Sequence, residues 1–289
     1  MTDRSTTDTA VPYYSSALVS LLTRAVALVL AGGKGSRLRA APDAELQGTP
    51  KVLVPIDTPS SGRVPMLGHA LTQLTAAGFR RIAVLTSTDP ATGAEAVEAY
   101  ALTHPSARQV ELTIHREQHP LGTAGAAYAA LTHLPDTPAA VVLPADTLYP
   151  TALLPSAVAE HRSRPTAVTW TVTTAPGRCA QNAGRLFLDP DGRHVVHALE
   201  GVDATLPAGS RSGLRQATST GAVLLAPGPF RALFEEYARR LACPGEADLY
   251  RQFMPWAISQ GHPVGAFDIR TSAPDLGTPD RLAAFGRTA

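Results

Sequence analysis

The sequence of 289 residues predicts a three-layer α/β/α fold around a mostly parallel, mixed central sheet. Short apolar runs of strand length alternate with segments of helical period, the order expected when helices carry the chain between parallel strands. The first such run, VALVL, feeds directly into a glycine turn. The chain is long enough to bury a sizeable core, and no internal repeat, low-complexity run or long linker divides it.

Taken in order, Met1 to Ala10 is a polar, Thr- and Asp-rich tail, and Tyr13 to Thr23 reads as a helix outside the first strand, so residues 1–24 precede the domain proper. The stretch SALVSLLTRAVALVLAGG is split by Arg24 and falls short of the roughly 20 uninterrupted apolar residues of a spanning helix. Neither export nor a membrane anchor is expected, and a cytoplasmic protein is. Ala25 to Leu30 is a strand, and Arg39 to Thr49 (RAAPDAELQGT) a surface loop. Met66 to Gly78 places Leu67, Leu71 and Leu74 on one helical face, and Arg81 to Thr86 is again a strand. Val110 to His115, Ala124 to Leu134 and Ala139 to Leu143 repeat strand, helix and strand.

From Thr166 the pattern changes. TAVTWTVT alternates with period two, and RLFLDPDGRHVVHAL reads as two strands about a DPDG turn. Pro229 to Leu241 and Asp248 to Gln260 read as helices, Val264 to Ile269 as a strand and Pro279 to Phe285 as a short helix. One domain spanning residues 25–289 follows, in two halves over about 25–150 and about 151–289.

A formal net charge of +1 supplies no long-range field for nucleic acid or an anionic membrane, so any anion must be held by a few placed groups. Cys179 and Cys243 lack C-x-x-C spacing and read as reduced structural thiols. His194 and His197, three apart on a strand, point to opposite faces and make poor zinc partners. No Ser sits in G-x-S-x-G. Trp170 and Trp256 read as core or interface residues.

The turn VALVLAGGKGSRL, Val26 to Leu38, carries the chemistry. Gly32, Gly33 and Gly35 permit close backbone approach, so that successive N–H groups can converge on phosphate oxygens. The Walker pattern is absent because Gly35 follows Lys34, and the dinucleotide fingerprint lacks its third glycine at Leu38. Taken alone, the turn could equally be a tight strand-to-helix connection.

Together with PKVLVPI (Pro50 to Ile56), LAGGKGSRL resembles the N-terminal signature of the sugar-phosphate nucleotidyltransferases. HPLGTAGAAYAAL (His119 to Leu131) resembles that family's nucleobase-facing segment, LPADTLYP (Leu143 to Pro150) its metal-binding aspartate after a strand, and PDLGTPDRL (Pro274 to Leu282) its C-terminal Asp-x-Gly-Thr-Pro. The resemblance implies a Rossmann-like nucleotidyltransferase fold and transfer of a nucleoside monophosphate from a triphosphate to a sugar-1-phosphate, with pyrophosphate leaving in line. Positioning and charge neutralisation suffice for such a reaction, without a covalent protein nucleophile.

On that resemblance Leu30, Ala31, Gly32, Gly33, Gly35, Ser36 and Ala145 bind the nucleotide, while Arg37 and Lys51 neutralise its phosphates. Lys51 is expected at the end of the strand-like VLVPI. Lys34 reads as solvated and Arg39 as surface charge. Asp146 and Asp275 would hold Mg²⁺, which takes oxygen ligands and usually one or two carboxylates; each could in isolation be a cap or turn residue. Gly122 and Thr123 would face the base, as could Gln118, and LGTAG is most similar to members that use GTP, although related segments occur in uridylyl and adenylyl members. Thr123 could alternatively be a helix cap.

The acceptor side departs from the family. Gly184, Glu200, Thr220 and Gly221 occupy acceptor-binding positions, but Gly201 and Val202 stand where the family carries Lys-Pro, Thr220 and Gly221 where a segment commonly begins with Asn before Ala-Gly, and Ala273 replaces a frequent aromatic. The missing lysine leaves Arg178, Arg185, Arg211 and Arg215 as candidates for the acceptor phosphate. These differences imply an acceptor such as a heptose or cyclitol phosphate. Two other readings are a glycosyltransferase of similar architecture, although ADT at Ala145 to Thr147 lacks the second acid of D-x-D, and a non-catalytic nucleotide sensor. Oligomers are frequent in enzymes of this kind, so a homo-oligomer fits the resemblance.

Overall fold

The computed structural model describes residues 14–40, 44–58, 62–119, 121–175, 185–199, 212–240 and 247–286. Gly184, Glu200, Gly201, Val202, Arg178, Arg211, both cysteines and the tail 1–10 lie outside the described residues.

The chain runs α1 (Ser16–Arg24), β1 (Val26–Leu30), α2 (Ser36–Arg39), α3 (Ala44–Gly48), β2 (Pro55–Thr58), β3 (Gly62–Pro65), α4 (Met66–Ala76), β4 (Arg81–Ser87), α5 (Ala94–Thr103), β5 (Glu111–Glu117), α6 (Gly122–Thr132) and β6 (Ala140–Pro144). It continues through α7 (Leu154–Arg162), β7 (Val168–Thr173), β8 (Arg185–Leu188), β9 (His194–Leu199), β10 (Arg215–Leu225), α8 (Pro227–Arg240), α9 (Met254–Ser259), β11 (Val264–Asp268) and α10 (Pro279–Gly286).

Among the described residues nine strands form one sheet in the order β5-β4-β1-β6-β10-β7-β11-β9-β8, and β2 and β3 form a separate hairpin. The first four are parallel, with Leu28 beside Ala83 on one side and Val142 on the other. From β10 the sheet is mixed: β10 runs antiparallel to β6 and β7, β11 lies parallel to β7, and β8 and β9 pair antiparallel. Successive residues of a strand face opposite sides. Val26 and Leu28 accordingly join one core with Leu131, Trp170, Phe230 and Phe253, while Ala27 and Val29 join another with Leu71, Phe79, Val97 and Val158. The near-continuous apolar runs of β1 and β6 reflect burial on both faces. No helix among the described residues is long and apolar enough to cross a membrane.

Three expectations need correction. Residues 39–49 are not a plain loop, since α3 forms within them. Lys51 opens a 3₁₀ turn, Lys51–Leu53, closed by Leu53 N–H donating to Pro50 O at 2.8 Å, and β2 begins only at Pro55. The strand expected at TAVTWTVT is present as β7, and all of it is buried. Its threonines are satisfied internally: Thr169 Oγ1 lies 2.8 Å from His161 Nδ1, and Thr171 Oγ1 donates to Ala222 O at 2.5 Å. Finally, the segment after Asp248 opens as a π-helical turn, Leu249–Phe253, before α9. Pro255 has no N–H to offer the carbonyl four residues back, which favours the irregular turn there. Helices α5 and α7 had no counterpart in the sequence reading.

Candidate active site

The turn after β1 leaves the sheet between two parallel neighbours. Ala31 N–H donates to Leu85 O at 2.9 Å and Ala145 N–H to Leu30 O at 3.2 Å, so the backbone of buried Ala31 and Ala145 and of partly buried Leu30 braces the turn. Gly35 adopts φ 64°, in the left-handed region, and a Cβ there would stand 2.9 Å from Lys51 Cβ. Any side chain would therefore push Lys51 off the glycine turn. Gly33, by contrast, faces open space. Lys34 is exposed and pairs with Asp89 at 2.9 Å.

Asp146 lies just beyond the carboxyl end of β6, where open α/β sheets place ligands. Asp275 reaches it from far along the chain through an isolated bridge to Thr147, reinforced by Leu276 N–H donating to Asp146 O at 2.8 Å and Leu148 N–H to Pro274 O at 2.9 Å. Gly277 makes the convergence quantitative. A Cβ built on it would lie 2.8 Å from Asp146 Oδ2, 2.8 Å from Asp275 Oδ1 and 2.9 Å from Lys51 Nζ. Lys51 Nζ forms an ion pair with Asp146 Oδ2, both side chains being largely buried at 22% and 15% exposure. Asp275 Oδ1 accepts from Gly277 N–H at 2.7 Å, and its Oδ2 from Arg281 Nη1.

These groups open on a cleft of about 990 Å³ whose walls include Arg37, Asp146, Thr147, Trp170, Thr218 to Gly221, Tyr250, Arg251, Asp275, Arg281 and Phe285. At one wall of the cleft, β10 carries a register shift between Ser219 and Val223, with Gly221 at φ 86°. Such a bulge re-aims the side chains around it. Thr220 is nearly buried and donates to Thr171 O at 2.9 Å, while Tyr250 Oη donates to Gly221 O at 2.5 Å. Burial pushes the Tyr250 phenol upward, so it acts as a neutral donor.

Of the expected site residues, Arg37, Asp146, Thr220, Gly221 and Asp275 border the cleft, and Lys51 joins the two acids at its edge. Gln118, Gly122 and Thr123 do not line it. Gln118 is exposed, and its carbonyl accepts from Thr88 Oγ1 at 3.1 Å. Thr123 does not cap α6, whose preceding residue is Leu121; its Oγ1 accepts the N–H of Leu249 at 2.7 Å. Ala124 N–H donates to Ala247 O at 2.9 Å, lacing this segment to the start of the π turn. Arg185 and Arg215, two candidates for the acceptor phosphate, do not line the cleft. Arg251 and Arg281 do, and sequence reasoning missed both: PDLGTPDRL was singled out for its aspartate, and its arginine was counted only as part of a short helix.

A glycine turn at the ends of parallel strands, with a lysine and two distant acids gathered beside a large cleft, is the arrangement of an enzyme that handles nucleoside polyphosphates. The chain belongs to the MobA-like NTP transferase domain family, which matches residues 27–276, and is a nucleotidyltransferase. No curated protein sequence matches it. Among solved structures, the chain is similar to the inositol-1-phosphate CTP transferase from T. maritima, at 18% identity over 91% of this chain and 94% of that one, TM-score 0.66. It is also similar to HddC from Yersinia pseudotuberculosis, at 21% identity over 91% of this chain and 99% of that one, TM-score 0.65. The same HddC complexed with GMP-PN superposes with a TM-score of 0.64, at 21% identity over the same shares of the two chains.

Proposed function

We propose that this enzyme transfers a nucleoside monophosphate from a nucleoside triphosphate, GTP in preference, to a sugar-1-phosphate or a sugar-like heptose or cyclitol phosphate, with Mg²⁺ and release of pyrophosphate. An acceptor phosphate oxygen forms a bond to the α-phosphorus as the bond to pyrophosphate breaks. The observation that carries this reading is the meeting of Lys51, Asp146 and Asp275 around Gly277, on the rim of a cleft large enough for two substrates.

The donor set suits the metal. Two carboxylate oxygens facing one point are hard ligands, and a site with only two acids suits Mg²⁺, which keeps water and substrate phosphate oxygens in its shell. Asp146 and Asp275 would hold it; when bound, it neutralises charge building on the phosphates. The chain's own residues do the rest. Backbone N–H groups of Gly32 to Ser36 orient the triphosphate, and Arg37 and Lys51 offset charge on the transferring group and the departing pyrophosphate. Thr220 and Gly221 shape the acceptor wall. Two neighbours support the substrate classes: one is described as an inositol-1-phosphate CTP transferase, and the other was crystallised with GMP-PN.

The test is pyrophosphate release from a panel of triphosphates paired with hexose, heptose and inositol 1-phosphates in Mg²⁺. Turnover with at least one pair is expected, with GTP the best donor. Sugar transfer from a preformed nucleotide-sugar would favour a glycosyltransferase instead, and triphosphate binding without pyrophosphate from any pair a sensor. The triphosphate that raises Tm most identifies the base, because ligand bound to the native state stabilises it by mass action.

A further inference from the structure

We infer that Arg281 is the cation that receives the acceptor phosphate, a role that rests on the nucleotidyl-transfer reading of this cleft. The attacking oxygen belongs to a phosphate and the atom it attacks is also a phosphorus, so two anionic groups must come into contact beside Asp146 and Asp275. Without a cation on the acceptor side, that approach is opposed by substrate and protein charge alike. Three arginines among the described residues border the cleft: Arg37, Arg251 and Arg281. Arg37 stands on α2 directly after the glycine turn and belongs to the triphosphate.

Of the other two, Arg281 is bound to one of the two acids. Its Nη1 donates to Asp275 Oδ2, while Asp275 Oδ1 faces the point shared with Asp146 and Lys51. A phosphate placed for attack beside that point is therefore within the neighbourhood of the guanidinium. One Nη1 bond leaves the rest of the planar, five-donor fork to meet phosphate oxygens, and Asp275 holds that fork in orientation. The side chain is 25% exposed, so its charge is less screened than one in open water. On α10, Arg281, Ala284 and Phe285 fall on one helical face, and all three border the cleft. The helix is held there by Leu282 and Phe285, which lie against the small core of Val54, Ile56, Met66 and Leu276. Arg251 is exposed, and its backbone N–H is taken up by Asp248 Oδ1 at 2.8 Å.

The experiment uses the full chain with Mg²⁺ and titrates D-glucose 1-phosphate and myo-inositol 1-phosphate calorimetrically into wild type, Arg281→Gln, Arg281→Lys and Arg251→Gln. Wild type should bind at least one probe. Arg281→Gln should weaken that binding about ten- to hundredfold, the usual scale for a lost charged hydrogen bond, and Arg281→Lys should recover part of it. The rise in Tm given by GTP should be the same in wild type and Arg281→Gln; an arginine that served only to hold Asp275 would move the triphosphate response instead. With a productive substrate pair, Arg281→Gln should raise KM for the acceptor and leave KM for the triphosphate unchanged. Unaltered probe binding in Arg281→Gln, a loss confined to Arg251→Gln, or no binding of either probe by wild type would overturn the assignment. Arg281-dependent probe binding without pyrophosphate from any substrate pair would instead overturn the reaction and leave the phosphate site standing.

Discussion

The two halves of the sheet build their share of the cleft by different means. In the parallel half, β4, β1 and β6 run in register and end together beside a glycine turn a few residues long, whose proposed contribution is backbone N–H groups. In the mixed half, β10 runs antiparallel to its neighbours, breaks register at a bulge and supplies side chains that meet partners from distant segments. Backbone sites are compact in sequence, because adjacent N–H groups do the binding. Side-chain sites need tertiary neighbours, because no single strand can surround a sugar. Asp275 and Arg281 belong to the second kind although they act beside the first.

The sharpest way to break this comparison is at the acids. Asp146→Asn and Asp275→Asn should each lower kcat by about a thousandfold or more while a thermal melt shows a folded protein, since each removes a metal-facing charge. A large loss for Asp146 with a trivial one for Asp275 would mean that the second half does not share the metal. Next in size, Lys51→Ala should raise KM for the triphosphate about ten- to hundredfold with little change in KM for the acceptor, as measured by initial rates over both substrates.

Two glycines sharpen the contrast. Gly35 and Gly221 both have φ in the left-handed region, and an added Cβ meets Lys51 Cβ at 2.9 Å in the first case and Thr147 Oγ1 at 3.1 Å in the second. Each alanine variant should cost about 1–3 kcal/mol of strain, seen as a lower Tm. Gly35→Ala should then impair triphosphate use and Gly221→Ala acceptor use; equal effects on both substrates would erase the division.

The smallest effect tests the core under the mixed half. Burial holds the His161 imidazole down at about 4. Unfolding lets it return to the ordinary value near 6.5, so between those two values the unfolded chain binds the extra proton and stability falls as pH is lowered. The loss should reach roughly 1 kcal/mol between pH 7 and 5.5 and cease growing below about pH 4. His161→Gln should flatten that part of the Tm profile relative to wild type; an unchanged profile would mean that the ring is solvated.

Legibility followed the same division. The strands over Ala25 to Leu30, Arg81 to Thr86 and Ala139 to Leu143 were readable because parallel strands buried on both faces are continuous apolar runs. The glycine turn and Asp146 were readable because their motifs are local. TAVTWTVT was readable as a strand from its alternation, and it is buried throughout because a threonine can be buried as fully as a valine once its hydroxyl finds a partner, as Thr169 and Thr171 do. Lys51 was placed on a strand because VLVPI has the composition of one, whereas Pro50 and Pro55 bracket a 3₁₀ turn instead.

By itself, the order of residues determined the layered α/β class, the glycine turn after the first strand and which two aspartates to examine, since each depends on short-range periodicity, on glycine's access to left-handed backbone or on a compact motif. Only the tertiary structure decided that Asp275 and Asp146 face one point, that Lys51 closes the group and that Arg281 rather than Arg185 or Arg215 borders the cleft. Those facts depend on the bridge between Thr147 and Asp275, which joins segments more than a hundred residues apart. Long-range pairing depends on how whole elements pack, and no local window of sequence contains that information.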